Sequence, residues 1–331
     1  MMEKLRTAVV GLAFGEELMD EAGDCKHFEC AGGYARTPAT REAFAKKFGV
    51  KAYSSYEEIL ADDEVDAVLI ATPNDTHREY AVKAAGAGKH VFLEKPIGNS
   101  VEAGRAIIEG CEKAGVTLFV GHMARRSSQF RMAKKMIDAG ELGQVVLVEA
   151  NRSHRGGMDV EEGQWRFYRE RCPGGPVMQL SAHDFDTLYY LFGPIKSICA
   201  KIRRLATPGE IEDTGVMAVE FESGVLGYVG TAYTIPPTTF TNIYGTEAAL
   251  MMNRQERTVT LVDKSGRRED RAPALPVNPF TDELDHFARC ALFGEKPETG
   301  GEEAMQALAA VLAAIKSAEE GRTVELAEIL Q

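Results

Sequence analysis

The sequence has no long apolar run and no excess of positive charge. No stretch approaches the ~20 consecutive apolar residues that a transmembrane helix needs, and the first residues, 1–6, lack the apolar region of a signal peptide. Lysine and arginine total 38 against 50 aspartate and glutamate, which gives a formal net charge of −12. Because an acidic surface repels phosphate backbones and anionic lipids, we expect neither nucleic acid nor a membrane as a partner.

Cysteine and tryptophan are also scarce. The chain has six cysteines and a single tryptophan, and the cysteines form no CxxC pair and no Cys/His ligand spacing. Zinc sites need such spacings, so we expect no metal centre. Scattered thiols are typical of reduced intracellular proteins, and together with the missing signal peptide they predict a cytoplasmic location.

The 331 residues are enough for two domains, and the first 122 show a regular alternation of strands and helices. This alternation predicts a doubly wound parallel sheet of the Rossmann type, a nucleotide-binding fold, over residues 1–122. The predicted strands are 6–11, 27–33, 66–73, 90–96 and 116–122, and the predicted helices are 16–22, 38–49, 56–61, 76–87 and 101–114.

The pattern changes near residue 123 to longer strands with alternating polarity. We predict a second, α+β domain over residues 123–331, with a large and mainly antiparallel open sheet. Its C-terminal helices belong either to this domain or to a surface that packs back on the first. The predicted strands are 145–154, 197–205, 215–222, 224–234 and 241–246, and the predicted helices are 127–139, 181–191, 281–292 and 302–319.

The segment VVGLAFGEELM (9–19) lies where a dinucleotide-binding fingerprint belongs, after a strand and before a helix. Gly11 occupies the first glycine position, while Ala13 stands at the second and Glu16 at the third. Gly15 is an additional glycine. The backbone of Gly11, Ala13 and Phe14 is a candidate pyrophosphate site, although a carboxylate at position 16 would compete for the same amide groups unless it turned away, towards Arg36 or solvent.

The end of the second strand predicts which dinucleotide is preferred. Enzymes that prefer NAD usually carry an acidic residue here for the ribose 2′-hydroxyl, but residues 33–40 contain none. Ala35, Arg36 and Thr37 stand there instead. Arg36 is either a ligand of a 2′-phosphate, which favours NADP over NAD, or a solvated loop residue.

Three further motifs occur in a fixed order: ATPN (71–74), GKHVFLEKP (88–96) and GGPVMQLSAHDFD (174–186). With these motifs the chain resembles the glucose–fructose oxidoreductase / inositol dehydrogenase (Gfo/Idh/MocA) family. The resemblance runs nearly end to end and includes GHMARRSSQFR and GELG. It implies NAD(P)-dependent oxidation or reduction of a secondary alcohol of a sugar or cyclitol, and a homodimer or homotetramer.

The resemblance also implies roles for individual residues. Lys95 falls on the family's catalytic lysine and His183 on its catalytic histidine, which suits a proton transfer at the reacting hydroxyl. Gln179 stands where many members have an aspartate that supports the histidine, so we expect it to orient the imidazole only through hydrogen bonds. The implied cofactor contacts are Thr72, Pro73, Asn74, His77, Glu94 and Lys95.

A segment near the single tryptophan is the candidate cover of the substrate. Trp165, Arg166 and Tyr168 either contact the sugar, with the aromatic ring stacking on its C–H groups, or belong to the protein core. Two other functions remain open: a glycosidase that works by transient oxidation on a recycling NAD, and a non-catalytic sugar sensor. Retention of both Lys95 and His183 argues against the sensor.

Overall fold

The computed structural model describes residues 3–23, 25–273 and 278–331. The chain divides into two compact units, the first formed by Met1–Met123 with Val277–Met305 and the second by Ala124–Pro276 with Gln306–Gln331. The first unit therefore takes in a segment from beyond the predicted boundary after residue 122, where the sequence left open whether the C-terminal helices pack on the first domain.

The first unit is built on a parallel sheet. Its strands are β1 (Leu5–Val10), β2 (Phe28–Tyr34), β3 (Lys51–Ala52), β4 (Ala67–Ile70), β5 (His90–Glu94) and β6 (Leu118–Gly121). Their order is β3-β2-β1-β4-β5-β6, with every neighbouring pair parallel. The order reverses between β1 and β4, and ligands of such sheets bind at the carboxyl edge beside this point.

Ten helices connect the strands of the two units, counted over the described ranges. They are α1 (Leu12–Glu21), α2 (Pro38–Phe48), α3 (Tyr56–Leu60), α4 (His77–Gly86), α5 (Val101–Ala114), α6 (Ser128–Asp138), α7 (Ala182–Phe192), α8 (Pro279–Phe293), α9 (Gly301–Glu320) and α10 (Ala327–Leu330). Helix α8 belongs to the first unit, where Phe287 packs edge-on against Phe92 and Phe119 of the sheet. None of these helices is long and apolar enough to cross a bilayer.

The second unit contains a nine-stranded sheet. Its strands are β7 (Val145–Ser153), β8 (Ile195–Arg203), β9 (Thr214–Phe221), β10 (Leu226–Ala232), β11 (Thr238–Gly245), β12 (Ala248–Asn253), β13 (Thr258–Asp263), β14 (Arg268–Asp270) and β15 (Val324–Glu325). The order is β14-β13-β12-β11-β7-β10-β9-β8-β15, and all pairs except the parallel β7–β10 are antiparallel. The predicted fold class is confirmed in both parts.

One face of the large sheet packs on helices and the other is exposed. Val148, Ala150 and Val229 on the helix side join a core with Phe185 and Leu188 of α7. Val216, Leu226, Leu147 and Tyr228 alternate with them and lie on the opposite face, where they remain 56%, 55%, 38% and 38% exposed. We call this second surface the outer sheet face.

Several details differ from the sequence predictions. Helix α1 begins at Leu12 rather than at residue 16. The predicted helix 181–191 is α7, but it is preceded by a π-helical turn at Val177–Ser181 that periodicity does not reveal. Strands β12, β13 and β14 were not predicted at all: β14 consists only of charged residues, and β12 begins with two alanines, which have a low strand propensity.

Candidate functional site

The first part of the candidate site is the turn between β1 and α1, which we call the phosphate loop (residues 11–15). Gly11 has φ +89°, and a Cβ on it would lie 2.5 Å from the carbonyl oxygen of Ala71, so only glycine fits there. The amide groups of Leu12, Ala13 and Phe14 open helix α1 and have no partner one turn earlier within the helix. This is the geometry that binds a pyrophosphate.

Gly15 has a role that the sequence interpretation missed. A Cβ on Gly15 would lie only 2.6 Å from Cγ1 of Val9 in β1. Close packing of helix on strand is the task of the third glycine in the fingerprint, and Gly15 makes this close approach one residue before position 16, where the spacing expects it.

Glu16 is turned sideways, towards α2. Its carboxylate accepts a hydrogen bond from the ammonium of Lys47 at 2.8 Å, and the same ammonium donates to Asp20 at 2.6 Å. The carboxylate does turn away, as expected, but its partner is Lys47 and not Arg36. Sequence reasoning could not find this pair, since its members are 31 residues apart.

The second part lies at the carboxyl end of β2. Ala35 and the exposed Arg36 lead to Thr37, which caps α2 with extended backbone angles and no side-chain hydrogen bond. Arg41, in the first turn of α2, donates to the carbonyl oxygen of Ala35 at 3.4 Å. Helix α2 has no acidic residue in its first turn, so its start is electropositive, which suits a phosphate group.

The third part follows β4. The Thr72 and Pro73 backbone leads into a 3-10 turn at Asn74–Thr76, and the Asn74 side chain is only 4% exposed. Neither polar atom of its amide has a hydrogen-bond partner among the described residues. Buried amides are normally satisfied, so Asn74 is suited to a polar group of a ligand.

His77 links this turn to the loop after β5. One ring nitrogen lies 2.9 Å from the carbonyl oxygen of Pro96 and the other 3.0 Å from that of Thr72. Burial lowers the pKa of His77 to about 4, so the ring is neutral near pH 7. The ring lies between the Thr72–Asn74 turn and the Lys95–Pro96 loop, and in its neutral form it donates its single N–H to one of these two carbonyl oxygens.

The fourth part is the end of β5, where Glu94, Lys95 and Pro96 follow one another and the Lys95–Pro96 bond is cis. The buried Glu94 carboxylate accepts the Lys95 backbone N–H at 3.2 Å. Its other oxygen lies 2.9 Å from the place that a Cβ on Gly121 would take. Because Gly121 on β6 has no side chain, there is room for the Glu94 carboxylate. Burial raises the pKa of Glu94, while the Lys95 charge and the N–H bond oppose that shift.

His183 and Gln179 belong to the second unit. Gln179 lies in the π-helical turn and is 6% exposed, and His183 follows four residues later in the first turn of α7, where it is half-buried. A π-helical turn at the start of a helix is common at functional sites. Gln179 therefore places an amide, rather than a carboxylate, about one helical turn before His183, the candidate base.

Two carboxylates near His183 in sequence are held by arginines. Asp186 receives hydrogen bonds from Nε and Nη2 of Arg125 at 3.0 and 2.5 Å, with both side chains buried. Asp184 lies 3.4 Å from Nε of Arg152 on β7, and its burial raises the pKa of Asp184 to about 6. Arg152 and Asp184 were not predicted as site residues. They are 32 residues apart, on a strand and a helix, and no local sequence pattern indicates that the two side chains meet.

The Trp165 segment forms a 3-10 turn at Trp165–Phe167. Trp165 packs partly against a small core of Cys172, Leu180, Ile211 and Tyr233, and the Arg166 guanidinium lies 4.8 Å from its ring centre. The Tyr168 hydroxyl accepts the backbone N–H of Gly163 at 3.0 Å. Trp165 thus makes a core contact and remains partly exposed, and its contact with a sugar stays a prediction.

Family models match both parts of the chain. Residues 5–122 match the oxidoreductase family with an NAD-binding Rossmann fold, and residues 130–251 match the GFO/IDH/MocA C-terminal domain. The chain belongs to the Gfo/Idh/MocA family. The resemblance read from the motifs is confirmed, and as a family member the protein is an oxidoreductase.

Relatives align with this chain over almost its whole length. It is 30% identical to scyllo-inositol 2-dehydrogenase (NAD(+)) of Bacillus subtilis over 98% of this chain and 97% of the relative. It is also 30% identical to D-xylose 1-dehydrogenase (NADP(+)) 2 of Haloferax volcanii, over 96% of this chain and 98% of that one. Among solved structures, aldose-aldose oxidoreductase of Caulobacter crescentus superimposes with a TM-score of 0.90 at 28% identity, covering 98% and 100% of the two chains.

Proposed function

We propose that the protein transfers hydride between a nicotinamide dinucleotide and a secondary alcohol or ketone of a sugar or cyclitol. The observation that carries this proposal is the tie made by His77, which joins the turn bearing the unpartnered Asn74 amide to the loop bearing Lys95. The proposed cofactor-side turn and the loop that carries Lys95 thus lie together at the carboxyl edge of one sheet. The two sequence relatives described above are named as dehydrogenases, which favours net oxidoreduction over the glycosidase and sensor alternatives.

The residues of the first unit fit a dinucleotide. The phosphate loop would offer backbone amides to the pyrophosphate, Ala35, Arg36 and Thr37 would contact the adenosine ribose, and the segment Thr72–Asn74 with Glu94 and Lys95 would hold the nicotinamide half. The bound nicotinamide supplies the hydride acceptor or donor. His77 acts in this proposal as a support of the two loops, since both of its ring nitrogens face backbone carbonyl oxygens.

Lys95 and His183 take in this proposal the catalytic roles that the family resemblance implies for them. During oxidation, the His183 imidazole accepts the hydroxyl proton while the carbinol hydride leaves, and the Lys95 ammonium stabilises the developing alkoxide. Gln179 orients the imidazole through its amide without adding a charge. In the reverse direction His183 returns the proton. Oxidation thus converts the alcohol and the oxidised cofactor into the ketone, the reduced cofactor and one proton.

Substrate recognition is assigned to the second unit. Trp165 offers a partly open aromatic ring for the apolar face of a sugar, while Arg166 and Tyr168 supply polar groups on the same segment. Together with Gln179 and His183 they form the proposed substrate side. A panel of sugars and cyclitols assayed with NAD⁺ and NADP⁺ at the absorbance of reduced nicotinamide tests the function, and binding of neither dinucleotide would contradict it.

We further propose a preference for NADP(H), on the basis of Arg36 and Thr37 at an electropositive helix start without an acidic residue. Isothermal titration of NAD⁺ and NADP⁺ into the wild type and Arg36→Ala is the test. We expect tighter NADP⁺ binding that drops about tenfold or more in the variant. Tighter binding of NAD⁺, unaffected by the substitution, would show that Arg36 is a solvated loop residue.

A homo-oligomer formed through the outer sheet face completes the proposal. This face exposes a row of aliphatic and aromatic side chains that a soluble monomer would rarely leave in water, and the family resemblance implies dimers or tetramers.

A further inference from the structure

Glu16 poses an electrostatic problem for the proposed cofactor site. It lies in the second turn of α1, four residues after Leu12. Because helical side chains slant towards the N-terminus, a free glutamate there would extend over Leu12 and Ala13. Those residues provide the amide groups that a pyrophosphate would use, and a carboxylate beside them would repel it.

Lys47 resolves this problem from the neighbouring helix. Its ammonium lies 2.8 Å from the Glu16 carboxylate and 2.6 Å from that of Asp20, which stands one turn further along α1. Glu16 and Asp20 are like charges four residues apart, a spacing that is unfavourable without a cation between them. The hydrogen bonds to Asp20 and Glu16 raise the pKa of Lys47, so it remains charged.

The position of Lys47 is itself supported by the core of the first unit. Its ammonium lies 5.0 Å from the ring centre of Phe48, and Phe48 contacts the fully buried Phe44 with ring centres 4.7 Å apart. Lys46, the preceding residue in the same last turn of α2, is exposed and forms no ion pair among the described residues. The two lysines therefore carry the same charge, but only Lys47 pairs with the carboxylates of α1.

We propose that Lys47 is a positioning residue for dinucleotide binding, which holds the Glu16 carboxylate against α2 and away from the amides of the phosphate loop. Ion pairs that are this exposed contribute little to folding, so the main consequence is the direction in which the Glu16 charge points. This inference rests on the proposed use of the phosphate loop for a dinucleotide, and Lys47 needs no contact with the dinucleotide itself.

Titration calorimetry of NAD⁺ and NADP⁺ with four proteins tests the inference: wild type, Lys47→Met, Glu16→Gln and the double variant. We expect Lys47→Met to weaken binding of the preferred dinucleotide about three- to tenfold at low ionic strength, with a smaller effect at high salt. Glu16→Gln is expected to bind like the wild type or slightly better. The double variant is expected to recover wild-type affinity, because the carboxylate nearest the phosphate loop is then gone, while Asp20 stands one helical turn further from it.

Lys46→Met is the matched control, since it removes the same charge from the same helical turn. Thermal melting of each variant verifies folding. If Lys47→Met and the wild type bind the dinucleotide with equal affinity, the inference about Lys47 is overturned but the proposed function is not. The same holds if Lys46→Met loses as much affinity as Lys47→Met. A Lys47→Met defect that Glu16→Gln does not rescue would also overturn it, because Lys47 would then act on the ligand directly. A wild type that binds neither dinucleotide would overturn the cofactor assignment as well.

Discussion

Two side chains, Lys95 and His183, carry the chemistry that we propose. Replacing either with alanine removes a group that acts on the reacting hydroxyl, so we expect kcat to fall about 10²- to 10⁴-fold for each. Steady-state kinetics on a substrate found in the panel measures this, with Lys46→Met as a control at an exposed lysine. If both alanine variants keep kcat intact, the assigned mechanism is wrong.

His77 gives the protein a defined sensitivity to acid. Burial lowers its pKa from 6.5 to about 4, so between these values the unfolded chain binds more protons than the folded one. Stability is therefore lost as the pH falls through this window. At about pH 5 the loss attributable to His77 is about 2 kcal/mol relative to neutral pH.

Replacing His77 with glutamine tests this expectation, because an amide can donate to one of the two carbonyls but does not titrate. Urea unfolding of both proteins at neutral pH and about pH 5 should show a smaller acid loss in the variant. Asp184, with its pKa raised to about 6, contributes in the opposite direction, but equally in both proteins. Parallel pH dependences of the two proteins would contradict the assignment.

At the scale of an element, the start of helix α1 depends on Gly15. Its Cβ would meet Cγ1 of Val9 at 2.6 Å, so alanine forces the helix away from the sheet. We expect Gly15→Ala to lower the free energy of unfolding by about 1–3 kcal/mol. Gly23→Ala is the matched control, since a Cβ at Gly23 meets nothing within 4 Å. Equal stabilities of the two variants in urea unfolding would disprove the packing role.

The same helix shows what the sequence could and could not predict. The strand β1, the glycine turn and the following helix were predictable from the apolar run and Gly11, and so were the positions of Lys95 and His183 from their motifs. The one-residue offset that makes Gly15 the packing glycine was not, because it depends on the distance to Val9. The partners of Glu16 and Asp184 were not predictable for a related reason: in each pair the partner lies on a different helix or strand, far away in the sequence.

At the scale of the whole molecule, the outer sheet face makes a prediction about assembly. Val216 and Leu226, on adjacent strands β9 and β10, are more than half exposed, and Leu147 lies directly opposite Leu226 on β7. Burying such a patch against a second copy stabilises association by about 25 cal/mol for each Å² of apolar surface. A charge placed in its centre would have to be desolvated without a partner.

We therefore expect Val216→Arg to shift the protein towards the monomer in light scattering coupled to gel filtration, with an unchanged melting transition of the monomer fold. Leu205→Arg is the control, because Leu205 is 70% exposed but follows the end of β8, outside the described strands of the sheet. A wild type that is monomeric at micromolar concentration would contradict the proposed assembly. An oligomer unaffected by Val216→Arg would place the interface elsewhere, since an arginine in a packed apolar contact costs several kcal/mol unless it finds a partner.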